Sequence, residues 1–264
     1  MKTIMIWNRK GGTGKSTITC NLAGCLYKNF NKKILVLDCD VQKNSTEYLL
    51  SQGNNNYTVF HVLKGKAETE EALVNVKIPD YSAKDIVWKD TNIDMLPGDS
   101  DIDLIKDVDF SIFQKMFKTL DKDYDYCLID CPPALTGVTE ALLRAAQYVI
   151  VPSDTSVDGL SGYGNLLNTV IKIRREGNPN LKILGIVFNN VDFRDSHDKD
   201  MVESNREILG EQIFDTSIIH STTIKQARDA VIPITYYTSY KQSAKVIKDY
   251  ISLGNEILEK TGEK

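Results

Sequence analysis

One stretch of the sequence decides the fold: Arg9-Lys10-Gly11-Gly12-Thr13-Gly14-Lys15-Ser16-Thr17. It follows the apolar run Thr3 to Trp7, which predicts a buried strand. It leads into Ile18 to Lys28, where apolar residues recur at helical spacing. Because glycine has no Cβ, such a loop can turn its backbone N–H groups inward around an anion. The following helix contributes the positive end of its dipole to the same place.

The loop differs at one position from the standard phosphate-binding pattern G-x-x-x-x-G-K-[ST]. The pattern requires a glycine where this chain has Arg9. The rest agrees: Lys15 is expected to reach the β- and γ-phosphates of a nucleotide, and the Ser16 hydroxyl to ligate Mg²⁺. The sequence therefore predicts a variant P-loop for ATP and Mg²⁺. The expected nucleotide-binding residues of this loop are Lys10, Gly11, Gly12, Thr13, Gly14, Lys15, Ser16 and Thr17.

Short apolar runs alternate with helix-like stretches along the rest of the chain. The later runs are Ile34 to Leu37, Ile93 to Leu96, Tyr126 to Ile129, Tyr148 to Val151 and Ile183 to Phe188. Strands that read as continuous apolar runs are typical of a parallel sheet covered by helices on both faces. A chain of 264 residues is long enough for one such domain. We predict a doubly wound, mostly parallel α/β fold of the P-loop NTPase type, with residues 1–264 forming a single domain.

Two of the predicted strands end in aspartates. Asp38 and Asp40 follow one strand and lie two residues apart, so their side chains share a face if the backbone is extended. Asp130 ends the later run Tyr126 to Ile129. Ligands of open α/β sheets bind beyond the carboxyl ends of the strands, so all three acids are expected near the phosphates. The alternative is that the first two cap a helix near Asn44-Ser45-Thr46.

Three segments resemble the motifs of the ParA/MinD family of ATPases. Lys10 to Thr17 resembles the family's deviant Walker A motif, in which a second lysine precedes the glycines. Asp38-Cys39-Asp40-Val41-Gln42 resembles the Asp-x-Asp-x-Gln motif, and Asp130-Cys131-Pro132-Pro133 resembles the Walker B strand with its Asp-x-Pro-Pro tail. The likeness extends over almost the whole chain, in the family's order.

The resemblance implies roles for individual residues. Lys10 would reach across a dimer interface to the partner's nucleotide, so that ATP joins two subunits, and a second cation there would neutralise phosphate charge. Asp40 would position or activate the attacking water, which makes it, with Lys10 and Lys15, the expected catalytic set. Asp130 would hold Mg²⁺ through water, and Asp38 would contribute to the same metal shell.

A weaker candidate concerns the base of the nucleotide. Asn189 follows the apolar run Ile183 to Phe188, at the end of a predicted late strand. Its side-chain amide is a candidate to contact adenine. Asparagine is also common in turns, so a structural role in the turn is the alternative.

The charge distribution bears on the partners. The chain has a net charge of −4, yet Thr216 to Lys248 has five basic residues against the single acid Asp229, a net of +4. Clustered lysines and arginines give salt-sensitive binding to DNA phosphates without sequence preference. We predict a ParA-type partition ATPase whose ATP-bound homodimer binds double-stranded DNA, with a ParB-like DNA-bound protein as its partner. The candidate DNA contacts are Lys225, Arg228, Lys241 and Lys245, with Arg174 and Arg175 as a second group.

One departure from the family pattern weakens the DNA prediction. Segregation members often have an Ile-Pro-Arg step where this chain reads Ile219-His220-Ser221. A MinD-like or protein-positioning ATPase without DNA binding therefore stays open. A metabolic P-loop ligase is disfavoured by Lys10 together with Asp40, and an iron–sulfur protein is disfavoured because the glycine-rich cysteine settings of such proteins are missing.

The expected location is the cytoplasm, with the ATP-bound form on the nucleoid. No apolar run is long enough to cross a bilayer. The segment Lys241 to Lys260 has apolar residues at helical spacing and predicts a helix packed on the body; a membrane-surface helix is the alternative. The five cysteines form no CxxC pair and are expected to be small core residues.

Overall fold

The strands and helices alternate along the chain as the sequence predicts. The computed structural model describes residues 1–50, 56–80, 87–156, 163–237 and 243–263. The strands are β1 (Lys2–Ile6), β2 (Ile34–Asp38), β3 (Val74–Asp80), β4 (Val87–Leu96), β5 (Tyr126–Asp130), β6 (Tyr148–Ser153), β7 (Lys182–Val191) and β8 (Ile218–Ile219). The helices are α1 (Lys15–Phe30), α2 (Asn44–Leu49), α3 (Val59–Leu63), α4 (Thr69–Ala72), α5 (Ser111–Thr119), α6 (Gly137–Ala145), α7 (Tyr163–Glu176), α8 (Ser196–Leu209), α9 (Thr222–Asp229) and α10 (Ser243–Lys260). Short 3₁₀ turns cover Ile102–Leu104, Gly210–Gln212 and Ile234–Tyr236.

The strands form one sheet in the order β3-β4-β2-β5-β1-β6-β7-β8. All neighbouring pairs are parallel except β3 with β4. The predicted doubly wound, mostly parallel sheet is confirmed, and each of the six predicted strands is present. The strand order places β5 between β2 and β1, so the three predicted motifs end side by side.

Three parts of the sheet were missing from the sequence prediction: β3, the outer half of β4 and the two-residue strand β8. Strand β3 was not predicted, and only Ile93 to Leu96 of β4 was. The outer half of β4, from Val87 to Asp90, is exposed, and β3 is mostly only partly buried and includes Pro79. These strands form the antiparallel edge of the sheet, where one face meets solvent, so they lack the continuous apolar run of a central strand.

Each face of the sheet has its own core. Successive residues of β1 point to opposite faces: Ile4 and Ile6 pack with α1, α2 and α10, whereas Met5 and the following Trp7 pack with α3, α5, α6 and α7. This is the alternation that a strand covered on both sides requires. All five cysteines are buried and free of disulfides, as expected for core residues.

Helix α10 packs on the body of the molecule, as predicted. Its apolar stripe, Val246, Tyr250, Leu253 and Ile257, is fully buried in the same core as α1. This burial leaves the stripe unavailable to a membrane surface, so the packed alternative is the one observed. Across the described part of the chain, no helix combines the length and apolar character that crossing a membrane requires.

A glycine in α1 sets how closely that helix approaches the 3₁₀ turn at 234–236. A Cβ added at Gly24 would lie 2.3 Å from the Pro233 Cβ, and a proline ring cannot rotate away. Gly24→Ala is therefore expected to lower the free energy of unfolding by about 1–3 kcal/mol. Gly164→Ala in α7 is the matched control, because nothing lies within 4 Å of its added Cβ, and it should be neutral or slightly stabilising. Urea unfolding of both variants measures the difference; equal midpoints would contradict the close approach.

Candidate functional site

The three predicted motifs meet at the carboxyl edge of the sheet. In the register of the sheet Asp130, at the end of β5, lies beside Asp38 of β2 on one side and Ile6 of β1 on the other. The glycine-rich loop after β1 therefore faces the acids that end β2 and β5. Sequence positions more than ninety residues apart are thus brought together by strand order.

The glycine-rich loop has the backbone of an anion cradle. Gly12 and Gly14 have φ of 76° and 87°, in the left-handed region that side chains disfavour. Gly14 precedes α1 without contributing a side-chain cap, so the N–H groups of the first turn stay available to a ligand. The loop opens outward at Gly11 and Gly12, where an added Cβ would meet nothing within 4 Å.

The side chain of Lys15 is buried at this edge of the sheet. Only 7% of the residue is exposed, and its amine donates to the Lys10 carbonyl at 3.3 Å. Burial lowers the pKa of Lys15, while the nearby charges of Asp130 and Asp40 act in the opposite direction. The ammonium is therefore held close to the acids at the ends of the strands.

Two buried carboxylates lie at the centre of the site. Asp130 is fully buried and accepts the Ser45 hydroxyl at 2.7 Å on Oδ2, whereas no described residue makes a hydrogen bond of ordinary geometry to its Oδ1. Asp38 accepts the backbone N–H and the hydroxyl of Thr46 on Oδ2, at 2.9 and 2.7 Å. Its Oδ1 accepts the backbone N–H of Asp40 at 3.1 Å. The contact with α2 that the helix-capping alternative predicted is thus present for Asp38.

The environment of this pair raises both pKa values. Burial, and then the charge of Asp130, raise the pKa of Asp38 to about 7. Burial also raises the pKa of Asp130 to about 6, opposed by the hydroxyls of Ser16 and Ser45. Two carboxyl groups in a low-dielectric setting cannot both ionise cheaply. The edge is therefore a place that favours a bound cation.

Asp40 lies at the rim of the same edge. It is 6% exposed, and its Oδ1 accepts the backbone N–H of Gln42 at 3.0 Å. The backbone N–H of Lys43 donates to the Asp40 carbonyl at 2.9 Å. These bonds hold the carboxylate near Lys15 and Asp130. Its negative charge acts to raise the pKa of both groups.

Lys10 is paired within its own chain. Its amine donates to both oxygens of Asp154, at 3.0 and 2.7 Å, and to the Ser156 hydroxyl at 2.7 Å. The ion pair lies on the loop after β6, and the side chains of Lys10 and Asp154 are each about a third exposed. Partial burial would raise the pKa of Asp154, but the hydrogen bonds from Lys10 and Ser156 outweigh it and hold that pKa below its ordinary value. The lysine is therefore at the molecular surface, on an acceptor that it can exchange.

Asn189 touches the loop from the far side. Its amide nitrogen donates to the Thr13 carbonyl at 3.0 Å and would lie 2.0 Å from a Cβ at Gly14. The residue is 7% exposed. In this structure its donor is committed to the glycine-rich loop, so it braces the loop, and contact with adenine stays a prediction.

Several known proteins resemble this chain over nearly its whole length. A family model for the AAA domain matches residues 1–183. The chromosome-partitioning ATPase Soj of Treponema pallidum is 31% identical over 265 residues, covering 100% of this chain and 99% of the relative. The sporulation initiation inhibitor protein Soj of Bacillus subtilis is 28% identical, covering 97% and 98%. The chain belongs to the ParA/MinD family of ATPases.

Solved structures of low identity share the fold of this ParA/MinD-family chain. The complex of Cyanothece McdA(D38A) with ATP has a TM-score of 0.81 at 23% identity, covering 100% of this chain and 97% of that one. The cell division ATPase MinD of Pyrococcus furiosus has a TM-score of 0.76 at 24% identity, covering 98% of each chain. The predicted family and fold are both confirmed.

The candidate DNA contacts of this ParA/MinD-family chain fall on two helices. Lys225 and Arg228 are exposed on α9, three residues apart and hence on one side of the helix. Lys245 is exposed on α10. Lys241 lies outside the described residues. The second group, Arg174 and Arg175, is exposed at the end of α7, on the opposite face of the sheet.

Sequence reasoning missed the side chains that hold the family's motif residues in place. These are Asp154 and Ser156 around Lys10, and Asn8, whose amide donates to the Pro152 carbonyl at 2.6 Å. Ser45 and Thr46 were noticed only as a helix start, yet they bind the two buried acids. Ser45, Asp154 and Ser156 lack a local mark because their partners are 85 to 146 positions away in the sequence.

The raised pKa of Asp38 predicts a pH-dependent stability for the nucleotide-free protein. An acid whose folded pKa lies above its unfolded value binds more protons when folded, so its contribution to stability falls as pH rises from about 4 to about 7. Asp38→Asn removes this titration but also loses an acceptor. The variant should therefore have a lower free energy of unfolding than the natural chain at pH 5. At pH 8 this difference in the free energy of unfolding should be smaller by roughly 1–3 kcal/mol.

Urea unfolding in EDTA at several pH values measures this gap. Asp200→Asn, at an exposed position on α8, is the control and should stay within about 0.5 kcal/mol of the natural chain throughout. A gap for Asp38→Asn that is constant between pH 5 and pH 8 would contradict a raised pKa.

Proposed function

We propose that this protein is an ATPase that partitions DNA. Binding of Mg·ATP joins two copies, the dimer binds duplex DNA without sequence preference, and slow hydrolysis releases it. The observation that carries this proposal is the pair of lysines: Lys15 is buried among Asp40 and Asp130, whereas Lys10 is at the surface on an exchangeable acceptor. A buried lysine serves the chain's own nucleotide, and a surface lysine beside it can serve a second copy's. Relatives named for chromosome partitioning support DNA as the cargo.

The residues of the site fit ATP and Mg²⁺. Within the described part of the chain, the buried hydroxyl of Thr13 has no hydrogen-bond partner and the buried Oδ1 of Asp130 has none of ordinary geometry, which is costly unless a ligand satisfies them. Ser16 and Asp130 would hold Mg²⁺, the latter through water, and Lys15 with the loop's N–H groups would hold the phosphates. Bound ATP would supply the phosphoryl group that passes to water, and Mg²⁺ would neutralise its charge.

The chain's own residues would orient and screen that reaction. Asp40 is fixed by Gln42 at the rim, where it can accept a hydrogen bond from the attacking water. Lys10 of a second copy would add positive charge at the outer phosphate, which stabilises the charge that develops there. Asp38 already uses both oxygens on Asp40 and Thr46, so its part in the metal shell stays a prediction and its observed contacts are those of a brace.

A cavity beyond β7 is the place we propose for the base. It has a volume of about 430 Å³ and begins two residues after Asn189, at Val191. Its other walls include Ile219 and His220 of the segment that departs from the family's Ile-Pro-Arg step. Asn189 donates to the Thr13 carbonyl and lies in β7 two residues before Val191, so it would join the phosphate and base parts of the site.

The proposal is tested by sizing the Asp40→Ala protein with Mg·ATP. This variant is expected to bind ATP, stall hydrolysis and accumulate as a dimer. Random-sequence duplex DNA should shift the dimer at low salt, and raising the salt should release it. Lys225→Gln with Lys245→Gln in the same background should weaken the shift without changing dimerisation.

The other outcomes of this experiment separate the alternatives. A dimer that ignores DNA at low salt would favour a protein-positioning ATPase of the MinD-like kind. A persistent monomer would contradict ATP-dependent pairing itself. A ParB-like partner protein, which would be expected to accelerate hydrolysis, and nucleoid association both remain predictions.

The contact between Lys10 and Asp154 predicts a measurable threshold for pairing. Lys10 must leave Asp154 before it can reach another copy, and a partly exposed ion pair of this kind contributes about 0.2–1 kcal/mol. Asp154→Asn should therefore lower the ATP concentration needed for dimerisation by about two- to fivefold. Titration of the dimer by light scattering in the Asp40→Ala background measures this. Adding Lys10→Ala should abolish the dimer in both backgrounds, and a dimer that persists would contradict the role of Lys10.

A further inference from the structure

The hydroxyl of Ser45 is buried against one of the two acids at the edge of the sheet. Ser45 lies in α2 and is fully buried, and its Oγ donates to Oδ2 of Asp130 at 2.7 Å, across 85 positions of sequence. A hydroxyl has one hydrogen to donate, and a bond to an ionised acceptor is roughly twice as strong as one between neutral groups. The single donor of Ser45 is therefore committed to this carboxylate.

A second set of buried contacts fixes α2 against α1. The Tyr48 hydroxyl donates to the Asn21 side-chain oxygen at 3.0 Å, and the Asn21 amide donates to the Thr17 carbonyl at 2.8 Å. Tyr48 and Asn21 are almost completely buried. Thr17 directly follows Ser16, whose hydroxyl opposes the rise that burial causes in the pKa of Asp130. Asp130 thus lies between hydroxyls from two helices that are joined by buried hydrogen bonds.

The neighbouring acid, Asp38, has both of its carboxylate oxygens occupied. Thr46, next to Ser45, donates to Oδ2 of Asp38 through its backbone N–H and its hydroxyl. The backbone N–H of Asp40 donates to Oδ1 of the same carboxylate. At Asp130 the Ser45 bond occupies Oδ2, while no described residue makes a hydrogen bond of ordinary geometry to Oδ1. Of the two acids, Asp130 is the one with an oxygen left for a ligand.

The bond from Ser45 decides which oxygen of Asp130 is left open. The terminal torsion of an aspartate is broad and roughly two-fold, so an unrestrained carboxylate presents either oxygen to a ligand. Under the proposed function the Ser16 hydroxyl turns to Mg²⁺ and is no longer available to the acid. Ser45 belongs to α2 and not to the glycine-rich loop, so its bond to Oδ2 is compatible with a bound metal.

We propose that Ser45 is a positioning residue for Mg²⁺, because its hydroxyl holds Oδ2 of Asp130 and directs Oδ1 toward the water of the metal. This inference rests on the proposed function, in which Asp130 holds Mg²⁺ through water. Ser45 would contact neither the nucleotide nor the metal and would act through the acid. Partners that orient a metal-binding group in this way are typically worth about tenfold or more in metal affinity.

The positioning role is tested by Mg²⁺ titration of nucleotide binding. A fluorescent, non-hydrolysable ATP analogue reports binding to the natural chain and to Ser45→Ala, first in EDTA and then at rising Mg²⁺. Ser45→Ala should raise the Mg²⁺ concentration at half-maximal response by about tenfold. Its affinity for the analogue in EDTA should stay within about twofold of the natural chain, because Lys15 and the N–H groups of the loop hold the phosphates.

A matched control tests whether the loss of any buried hydroxyl has the same effect. The Thr91 hydroxyl is buried on β4 and donates to the Val76 carbonyl at 2.6 Å. Ile93 pairs with Ile34, the first residue of β2, so Thr91 lies at the opposite end of the sheet from the acids. Thr91→Val should therefore leave the Mg²⁺ midpoint unchanged.

Tyr48→Phe tests the contact that fixes α2 against α1. It should raise the midpoint by about two- to threefold, and it should add nothing to Ser45→Ala, because Tyr48 acts through Ser45. A Ser45→Ala protein with the natural midpoint would overturn the positioning role. An equal loss of analogue affinity in EDTA and in Mg²⁺ would also overturn it, since that result indicates a general structural defect.

Asp130→Asn separates this inference from the proposed function on which it rests. If Asp130→Asn raises the Mg²⁺ midpoint and Ser45→Ala does not, the metal site is supported and the positioning role of Ser45 is wrong. If neither variant changes the midpoint, Asp130 does not serve Mg²⁺, and the proposed metal site and the positioning role both fail. A higher midpoint in both variants supports the two together.

Discussion

The site depends on two carboxylates that the sheet forces together out of water. Asp38 and Asp130 end neighbouring parallel strands in register, so their Cα atoms cannot move apart without breaking the sheet. Burial makes their joint ionisation unfavourable, which is why both pKa values rise. Ionisation of both carboxylates at this edge of the sheet is therefore unfavourable unless a cation binds there. The charge of Lys15 partly offsets this rise at Asp130.

The loops around this pair are held by contacts that can be exchanged. Ser45 and Thr46 anchor the carboxylates from α2, and Arg228 holds the start of that helix from α9. At the surface, the amine of Lys10 forms an ion pair with the carboxylate of Asp154. The bonds of Arg228 and Lys10 are exposed or partly exposed and hence weak, so a phosphate can displace them. A rigid buried centre with weak outer contacts suits the proposed function, in which the partners of the protein change with its bound nucleotide.

Family, fold and motif positions could be predicted because each has a local signature. The glycines, Lys15 and Ser16 follow one strand directly, and the acids end others, so period and order along the chain were sufficient. The edge strand β3 escaped prediction because a half-exposed strand has no continuous apolar run. Asn189 was placed at the right strand end, but its amide turned inward to Thr13, a direction that the sequence does not encode.

The amino-acid sequence by itself determined which chemical groups the site contains: two lysines, three aspartates and a hydroxyl on a glycine-rich loop. Only the tertiary structure decided what holds each of them. Asp154 reaches Lys10 across 144 positions and Arg228 reaches Asn44 across 184, through strand order and helix packing. A local pattern reports backbone period and loop chemistry. Side-chain pairs between distant segments depend on how the whole sheet is assembled, and no local pattern records them.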